Sequence, residues 1–288
     1  MFVVLMRPGS LPVNVPGVLV GNRDSSELPK LYPYPVPTET FRPPETVSAR
    51  SAIVIDAKTG ITLFEKDPDV RHLPASTTKL MTALVALERC SPGNIINVTD
   101  VIQEGTLMGL SAGDTVTAET LLYGLLVSSG NDAAYVLASS CSDSSEHFVS
   151  SMNQKARELG MANTHFENPA GLDSPMQYST ARDLAKLAKV AVANPLISKI
   201  VGTRGIVLTD VAGVKIYYLE NINKLLGEVE GLEGVKTGQT EGSLEILLTK
   251  TTRAGNTVIV AVLGSRDRFG ESKKLIEWAF ANHRWRQP

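Results

Sequence analysis

The sequence predicts an α+β fold, with an antiparallel sheet drawn from both ends of the chain, flanked by helices, and a helical subdomain inserted between its strands. Three observations predict it. Strand-like apolar runs occur at 51–65, strand texture returns only after about residue 203, and the stretch between is mostly helix-forming, with no internal repeat. Strands from two ends around consecutive helices give segregated layers of sheet and helix. With 288 residues, 43% hydrophobic and 20% charged, the chain can bury a substantial core.

The elements follow in order. Residues 1–46 stand apart, with prolines at 8, 12, 16, 29, 33, 35, 37, 43 and 44. Proline removes backbone donors and favours extended chain, so this lead-in reads as a tether or a wrapped arm before a domain spanning 47–288. Ser51–Ala57 reads as a buried strand, Lys58-Thr59-Gly60 as a turn and Ile61–Glu65 as the hairpin partner. Leu73-Pro74-Ala75 opens a helix running to about Arg89, with Pro74 suited to its start. Leu80, Met81, Leu84, Val85 and Leu87 make that helix apolar nearly all round, which places it inside the domain. Further helices are expected at Thr117–Val127, Asp132–Ser139, Glu146–Leu159 and Thr180–Ala193, the last capped by Ser179 or Thr180. Gly205–Thr209 and Val214–Leu219 pattern as a hairpin. Gly231–Thr237, Ser243–Thr252 and Thr257–Leu263 pattern as three adjacent strands, and Ser272–Asn282 as a closing helix.

Composition excludes several classes. A net charge of −2 and no basic stripe give no field for nucleic acid. Cys90 and Cys141, without a C-x-x-C pair or clustered histidines, make no zinc site, and no cofactor or metal is expected. Two buried thiols are the favoured reading by the burial preference of cysteine; a disulfide between them is open, since the sequence cannot argue for it. His72, His147, His165 and His283 are scattered and expected to be structural or surface residues; Asp56, Glu65 and Asp67 are expected to be solvated. Met1–Met6 is apolar, but Arg7 and Pro8 follow at once, so a signal peptide is not clearly visible. No run approaches the ~20 apolar residues of a membrane span.

Three short motifs carry chemistry: Ser76-Thr77-Thr78-Lys79, Ser129-Gly130-Asn131 and Lys236-Thr237-Gly238. Spacing i, i+3 at a helix start puts Ser76 and Lys79 on one face. A hydroxyl needs a base to become a nucleophile, and a lysine is a base only when burial or a nearby cation lowers its pKa. The apolar helix supplies burial, and Lys236 can supply the cation. Gly130 permits a tight turn that projects Ser129 and Asn131 together. Lys236 and Thr237 can hold a carboxylate, and Gly238 allows a ligand backbone to approach the strand. Each motif alone is weak; the ordered set is specific.

These motifs, with Asn168-Pro169-Ala170-Gly171-Leu172-Asp173, Ser179-Thr180-Ala181-Arg182-Asp183 and Asn221-Ile222-Asn223-Lys224-Leu225, resemble the low-molecular-mass penicillin-binding proteins that are serine-type D-alanyl-D-alanine carboxypeptidases, relatives of class A β-lactamases. The resemblance covers about residues 48–283. It implies the β-lactamase/transpeptidase-like version of the α+β fold. It also implies that Ser76 attacks the bond between two terminal D-alanines of a peptidoglycan stem peptide, with Lys79 as general base. Ser129 relays a proton to the leaving amine, and Asn131 holds Lys79 and the substrate amide. Lys236 and Thr237 bind the terminal carboxylate, with Gly238 beside them. The N–H groups of Ser76 and Gln239 form an oxyanion hole, and Arg268 lies near the carboxylate site or in a surface ion pair. β-Lactams are expected as covalent inhibitors. Glu167-Asn168-Pro169 does not match the deacylating glutamate loop of the lactamases, so a long-lived penicillin adduct is implied. Competing readings are a DD-endopeptidase acting on cross-links and a slow-turnover β-lactam-sensing binding protein. An extracytoplasmic location, periplasm or cell-wall space, is implied. The stalk domain and C-terminal anchor helix of longer members are not expected, so any membrane tether is expected at the N-terminus.

Overall fold

A computed structural model describes residues 32–287; the first 31 residues of the Pro-rich lead-in lie outside the described residues. The rest of that lead-in is laid against the domain. Strand β1 (Tyr34–Pro37) pairs antiparallel with β11 (His283–Arg286) at the other end of the chain. The Trp278 indole N–H then donates to the Arg42 carbonyl at 2.7 Å.

The central sheet has five strands in the order β3-β2-β10-β9-β8, all antiparallel. β2 (Ser51–Asp56) and β3 (Thr62–Lys66) come from the N-terminal side; β8 (Leu232–Thr240), β9 (Leu244–Arg253) and β10 (Asn256–Ser265) come from the C-terminal side. The expected sheet from both chain ends is therefore what forms. Strand periodicity sorts its side chains onto two buried faces. Ala52, Val54, Val258, Val260 and Val262 pack with Leu275, Ile276 and Trp278 of the closing helix. Ile53, Ile55, Ile246, Leu248, Ile259 and Ala261 join the larger core of the helical subdomain.

That subdomain follows a single 3-10 turn (Ala75–Thr78) and contains α1 (Lys79–Arg89), the pair β4 (Ile95–Asn97) and β5 (Thr115–Thr117), α2 (Ala118–Leu126), α3 (Asn131–Ser140) and α4 (Ser145–Glu158). α5 (Ala181–Ala191) follows, capped by Thr180, whose hydroxyl accepts from Asp183 N–H at 3.1 Å. A short α6 (Pro195–Val201), which the sequence reading missed, is capped by Asn194 with Pro195 in its first turn. β6 (Gly205–Thr209) and β7 (Ile216–Glu220) form the expected hairpin. The closing helix α7 (Arg268–Asn282) starts earlier than expected because the Asp267 carboxylate caps it by accepting from Gly270 N–H.

Three expectations are corrected. The helix expected from residue 74 becomes α-helical only at Lys79, since Ala75 has φ +47°, outside the helical region. Asp56 is buried, not solvated; its carboxylate accepts from Thr59 N–H at 2.7 Å, Thr59 hydroxyl at 2.6 Å and Trp285 Nε1 at 2.8 Å. Cys90 and Cys141 are joined in a disulfide, the alternative the sequence left open beside the favoured two buried thiols. The chain brings the C-terminal ends of α1 and α3 together, which no spacing rule predicts across 51 residues. Closing a loop of that length restricts the unfolded chain. The double variant Cys90→Ser/Cys141→Ser is expected to lose about 2–4 kcal/mol of stability, measured by denaturant unfolding.

Candidate active site

Ser76 sits in the 3-10 turn ahead of α1, and Lys79 is the first α-helical residue, so one turn carries both side chains on the same face. The Lys79 ammonium donates to Ser76 Oγ at 2.9 Å, Asn131 Oδ1 at 2.7 Å and the Ala170 carbonyl at 2.6 Å. All three of its donors are used, although the residue is 0% exposed. Burial, then the positive field of Lys236, holds its pKa well below the ordinary lysine value, with Asp132 opposing.

Asn131 opens α3, and its amide donates to the Glu104 carbonyl at 2.9 Å. Next to it, buried Asp132 accepts from the backbone N–H groups of Met108, Gly109 and Leu110 at 2.9, 2.9 and 3.0 Å. This ties the 104–110 segment over the site and brings Thr106 into its wall. Ser129 holds φ +62°, a conformation costly for a residue with a side chain. Its hydroxyl accepts from Lys236 Nζ at 2.9 Å. Lys236, carried by β8, is buried, and burial followed by the charge of Arg268 brings its pKa down to about 7.

Ser76, Ser129, Thr237, Gly238, Gln239 and Arg268 line one cavity of about 240 Å³, together with Thr106 and Ile222. Arg268 is not a surface ion pair: it is 7% exposed and its guanidinium donates to the Gly238 carbonyl at 2.8 Å. All nine sequence-selected residues therefore surround this cavity or the lysines beneath it. Sequence reading missed Thr106, Ile222 and the Ala170 carbonyl as parts of the site. Ala170 lay within a quoted motif, but a carbonyl's role leaves no trace in residue type.

Two glycines let the pieces meet. A Cβ on Gly238 would stand 3.1 Å from Ala75 Cβ and 3.3 Å from Ser76 N, so β8 packs directly on the turn bearing Ser76. The sequence assigned that closeness to a ligand, and part of it serves the protein's own packing. A Cβ on Gly171 would lie 1.9 Å from the Ala75 carbonyl oxygen. Asn168 Oδ1 accepts from the N–H groups of Ala170, Gly171 and Leu172, which fixes the loop that aims the Ala170 carbonyl at Lys79.

The family model described as Peptidase S11, D-alanyl-D-alanine carboxypeptidase, matches residues 38–267, and every residue of this cavity lies within that span or directly after it. The chain belongs to this peptidase family. A D-alanyl-D-alanine carboxypeptidase of Bacillus subtilis is 35% identical over 247 residues, covering 82% of this chain and 63% of that protein. One from Streptomyces sp. strain K15 is 34% identical over 257 residues, covering 82% of this chain and 88% of that protein. The chain thus spans under two-thirds of the Bacillus relative and most of the Streptomyces one. The crystal structure of the Streptomyces K15 DD-transpeptidase superposes with TM-score 0.77 at 33% identity, covering 83% of this chain and 100% of that one. The Francisella tularensis D-alanyl-D-alanine carboxypeptidase DacD gives TM-score 0.78 at 30% identity, covering 85% of this chain and 74% of that one. Membership in this family makes the expected β-lactamase/transpeptidase-like form of the α+β fold the observed one. Among the described residues no cluster of His, Cys, Asp or Glu is arranged to hold a metal ion, and no helix is long and apolar enough to cross a membrane.

Proposed function

We propose that this protein is a serine DD-carboxypeptidase that removes the terminal D-alanine of peptidoglycan stem peptides through an acyl-enzyme on Ser76. The observation that carries the reading is the environment of Lys79. Its neutral amine keeps two hydrogens, and Asn131 Oδ1 and the Ala170 carbonyl are there to accept both. The lone pair then faces the Ser76 hydroxyl at 2.9 Å and takes its proton as Oγ attacks the penultimate D-alanine carbonyl. The tetrahedral oxyanion is met by the N–H groups of Ser76 and Gln239. Ser129 passes a proton to the departing amine, while Lys236 in its charged form, Thr237 and Arg268 hold the leaving D-alanine's carboxylate. Water then releases the shortened peptide from Ser76.

β-Lactams, which carry a comparable amide, acylate the same oxygen. Glu167 is engaged with His165 Nε2 at 2.7 Å and lines a separate cavity, which supports a slowly hydrolysed penicillin adduct. A stem-peptide substrate places the enzyme outside the cytoplasm, in the periplasm or cell-wall space. The Cys90–Cys141 disulfide favours that oxidising side. Incubation with labelled penicillin and with a D-Ala-D-Ala peptide tests the reading. An adduct on Ser76 with D-alanine release is expected; an adduct with no release points to a sensor or an endopeptidase.

The rate rises with pH as Lys79 becomes neutral. It falls above about pH 7 as Lys236 loses the proton that pairs with the carboxylate. Lys236→Arg keeps its charge at every working pH, so it is expected to flatten the alkaline limb of kcat/KM while leaving the acid limb. An alkaline limb unchanged in that variant would assign it to another group.

A further inference from the structure

The β6–β7 hairpin stands outside the central sheet as a two-stranded sheet of its own. Tyr217 and Leu219 bury its inner face. Its outer face is open: Val207 is 59% exposed, Ile216 49% and Tyr218 75%. Val207 pairs with Tyr218 and Thr209 with Ile216, so these side chains form one contiguous, largely apolar patch. Single exposed apolar residues are ordinary, whereas a contiguous patch marks an interaction surface.

The edge of β6 is open as well. Asn221 N–H donates to the Arg204 carbonyl and Asp210 N–H to the Lys215 carbonyl, each at 2.9 Å. In an antiparallel ladder such pairs recur at every second residue, so Arg204, Ile206, Leu208 and Asp210 turn their backbone groups toward β7. Gly205, Val207 and Thr209 turn theirs away from it, where among the described residues they meet no hydrogen-bond partner. All three residues are exposed, and a Cβ on Gly205 would meet only the Leu219 carbonyl of β7. Natural sheets blunt a free edge with lysine, proline or a bulge; β6, Gly-Ile-Val-Leu-Thr in unbroken register, carries none of these.

Charge selects the occupant. Arg204 and Asp210 bracket β6 with opposite signs, and among the described residues neither has an oppositely charged side chain within ion-pair distance. We propose that β6 pairs with β6 of a second copy of this chain, antiparallel about a two-fold axis at Val207, with Arg204 of each copy opposite Asp210 of the other. In that register Val207 faces Val207 and Gly205 faces Thr209, and each of these residues exchanges both backbone hydrogen bonds across the axis. The two apolar patches then join on one face of a continuous sheet, β7-β6-β6-β7. The edge of β7 offers no such match: a two-fold axis at Tyr218 sets Ile216 opposite Glu220 and pairs no charges.

Sedimentation equilibrium of the full chain from about 1 to 200 µM tests the association, and a contact this small predicts a dissociation constant of roughly 10–100 µM. Hydrogen exchange over the same range locates it. The Val207 and Thr209 amides are expected to gain protection with concentration, while those of Ile206 and Leu208, already bonded within the hairpin, are not. Arg204→Glu sets like charges opposite each other at both ends of the pair and is expected to weaken the dimer about tenfold or more. Val207→Pro removes an N–H that the hairpin itself does not use and is expected to abolish the dimer; where that variant does not unfold as cooperatively as the parent, Arg204→Glu alone decides. A parent that stays monomeric at the highest concentration overturns the proposal. So does a dimer that either folded variant leaves unchanged, or protection gained only outside β6.

Discussion

Replacing Ser76 by alanine leaves no adduct with a labelled penicillin and lowers D-alanine release by roughly 10⁴-fold or more. Two hydrogen bonds account for the size of the expected effect. The Ser76 oxygen is the hydroxyl that faces Lys79 Nζ, at 2.9 Å, in a cavity shared with Ser129, Thr237 and Arg268. The Ser129 oxygen is hydrogen-bonded at 2.9 Å to Lys236, not to Lys79, so it is not the hydroxyl the base activates. Removing Oγ costs the fold one partly buried hydrogen bond, about 1 kcal/mol, so thermal unfolding of the variant stays close to that of the parent. An intact-mass adduct persisting in Ser76→Ala would place the acyl group elsewhere and end the mechanism as drawn.

Lys79→Arg is expected to abolish acylation nearly as completely as Lys79→Ala, each slowing adduct formation by about 10³-fold or more. An arginine keeps a cation at the base of the cavity and donors for Asn131 and Ala170, yet it holds its proton throughout the working pH range. A merely electrostatic or structural role would survive that change; a proton-accepting role does not. Stopped-flow acylation by a chromogenic β-lactam reads the difference, and an arginine variant within tenfold of the parent would remove Lys79 as the base. Linkage supplies an independent check. Burial brings the folded-state pKa of Lys236 down to about 7 against 10.5 for an ordinary lysine, so the unfolded chain binds more protons between those values. Stability contributed by Lys236 therefore increases as pH rises through that window, the penalty of its buried cation being fully present below it, and the depressed pKa of Lys79 acts with the same sign.

Much of this site was legible because it is local. Ser76 and Lys79 need only one helical turn to meet, and Ser129 and Asn131 only one tight turn between helices. Lys236, Thr237 and Gly238 are consecutive on one strand. Residue type and spacing fix such clusters, since a helix or strand of known period leaves little freedom in which side chains share a face. The order of the three clusters supplied the rest. Strand texture at the two ends of the chain likewise announced the sheet, because strands buried on both faces read as continuous apolar runs such as Ala52–Ile55 and Val258–Leu263.

What the sequence by itself determined is therefore the chemistry on offer: an alcohol beside a lysine, a serine beside an asparagine, a lysine and threonine on a strand, and an α+β frame to carry them. Only the tertiary structure decided how these were brought to bear. It aimed the Ala170 carbonyl at Lys79, set Thr106 and Ile222 in the cavity wall, drew Arg268 inward and joined Cys90 to Cys141. Each of these depends on where a backbone from a distant segment comes to rest. Burial by those segments, which no window of sequence contains, is also what lowers the proton affinity of Lys79 and Lys236.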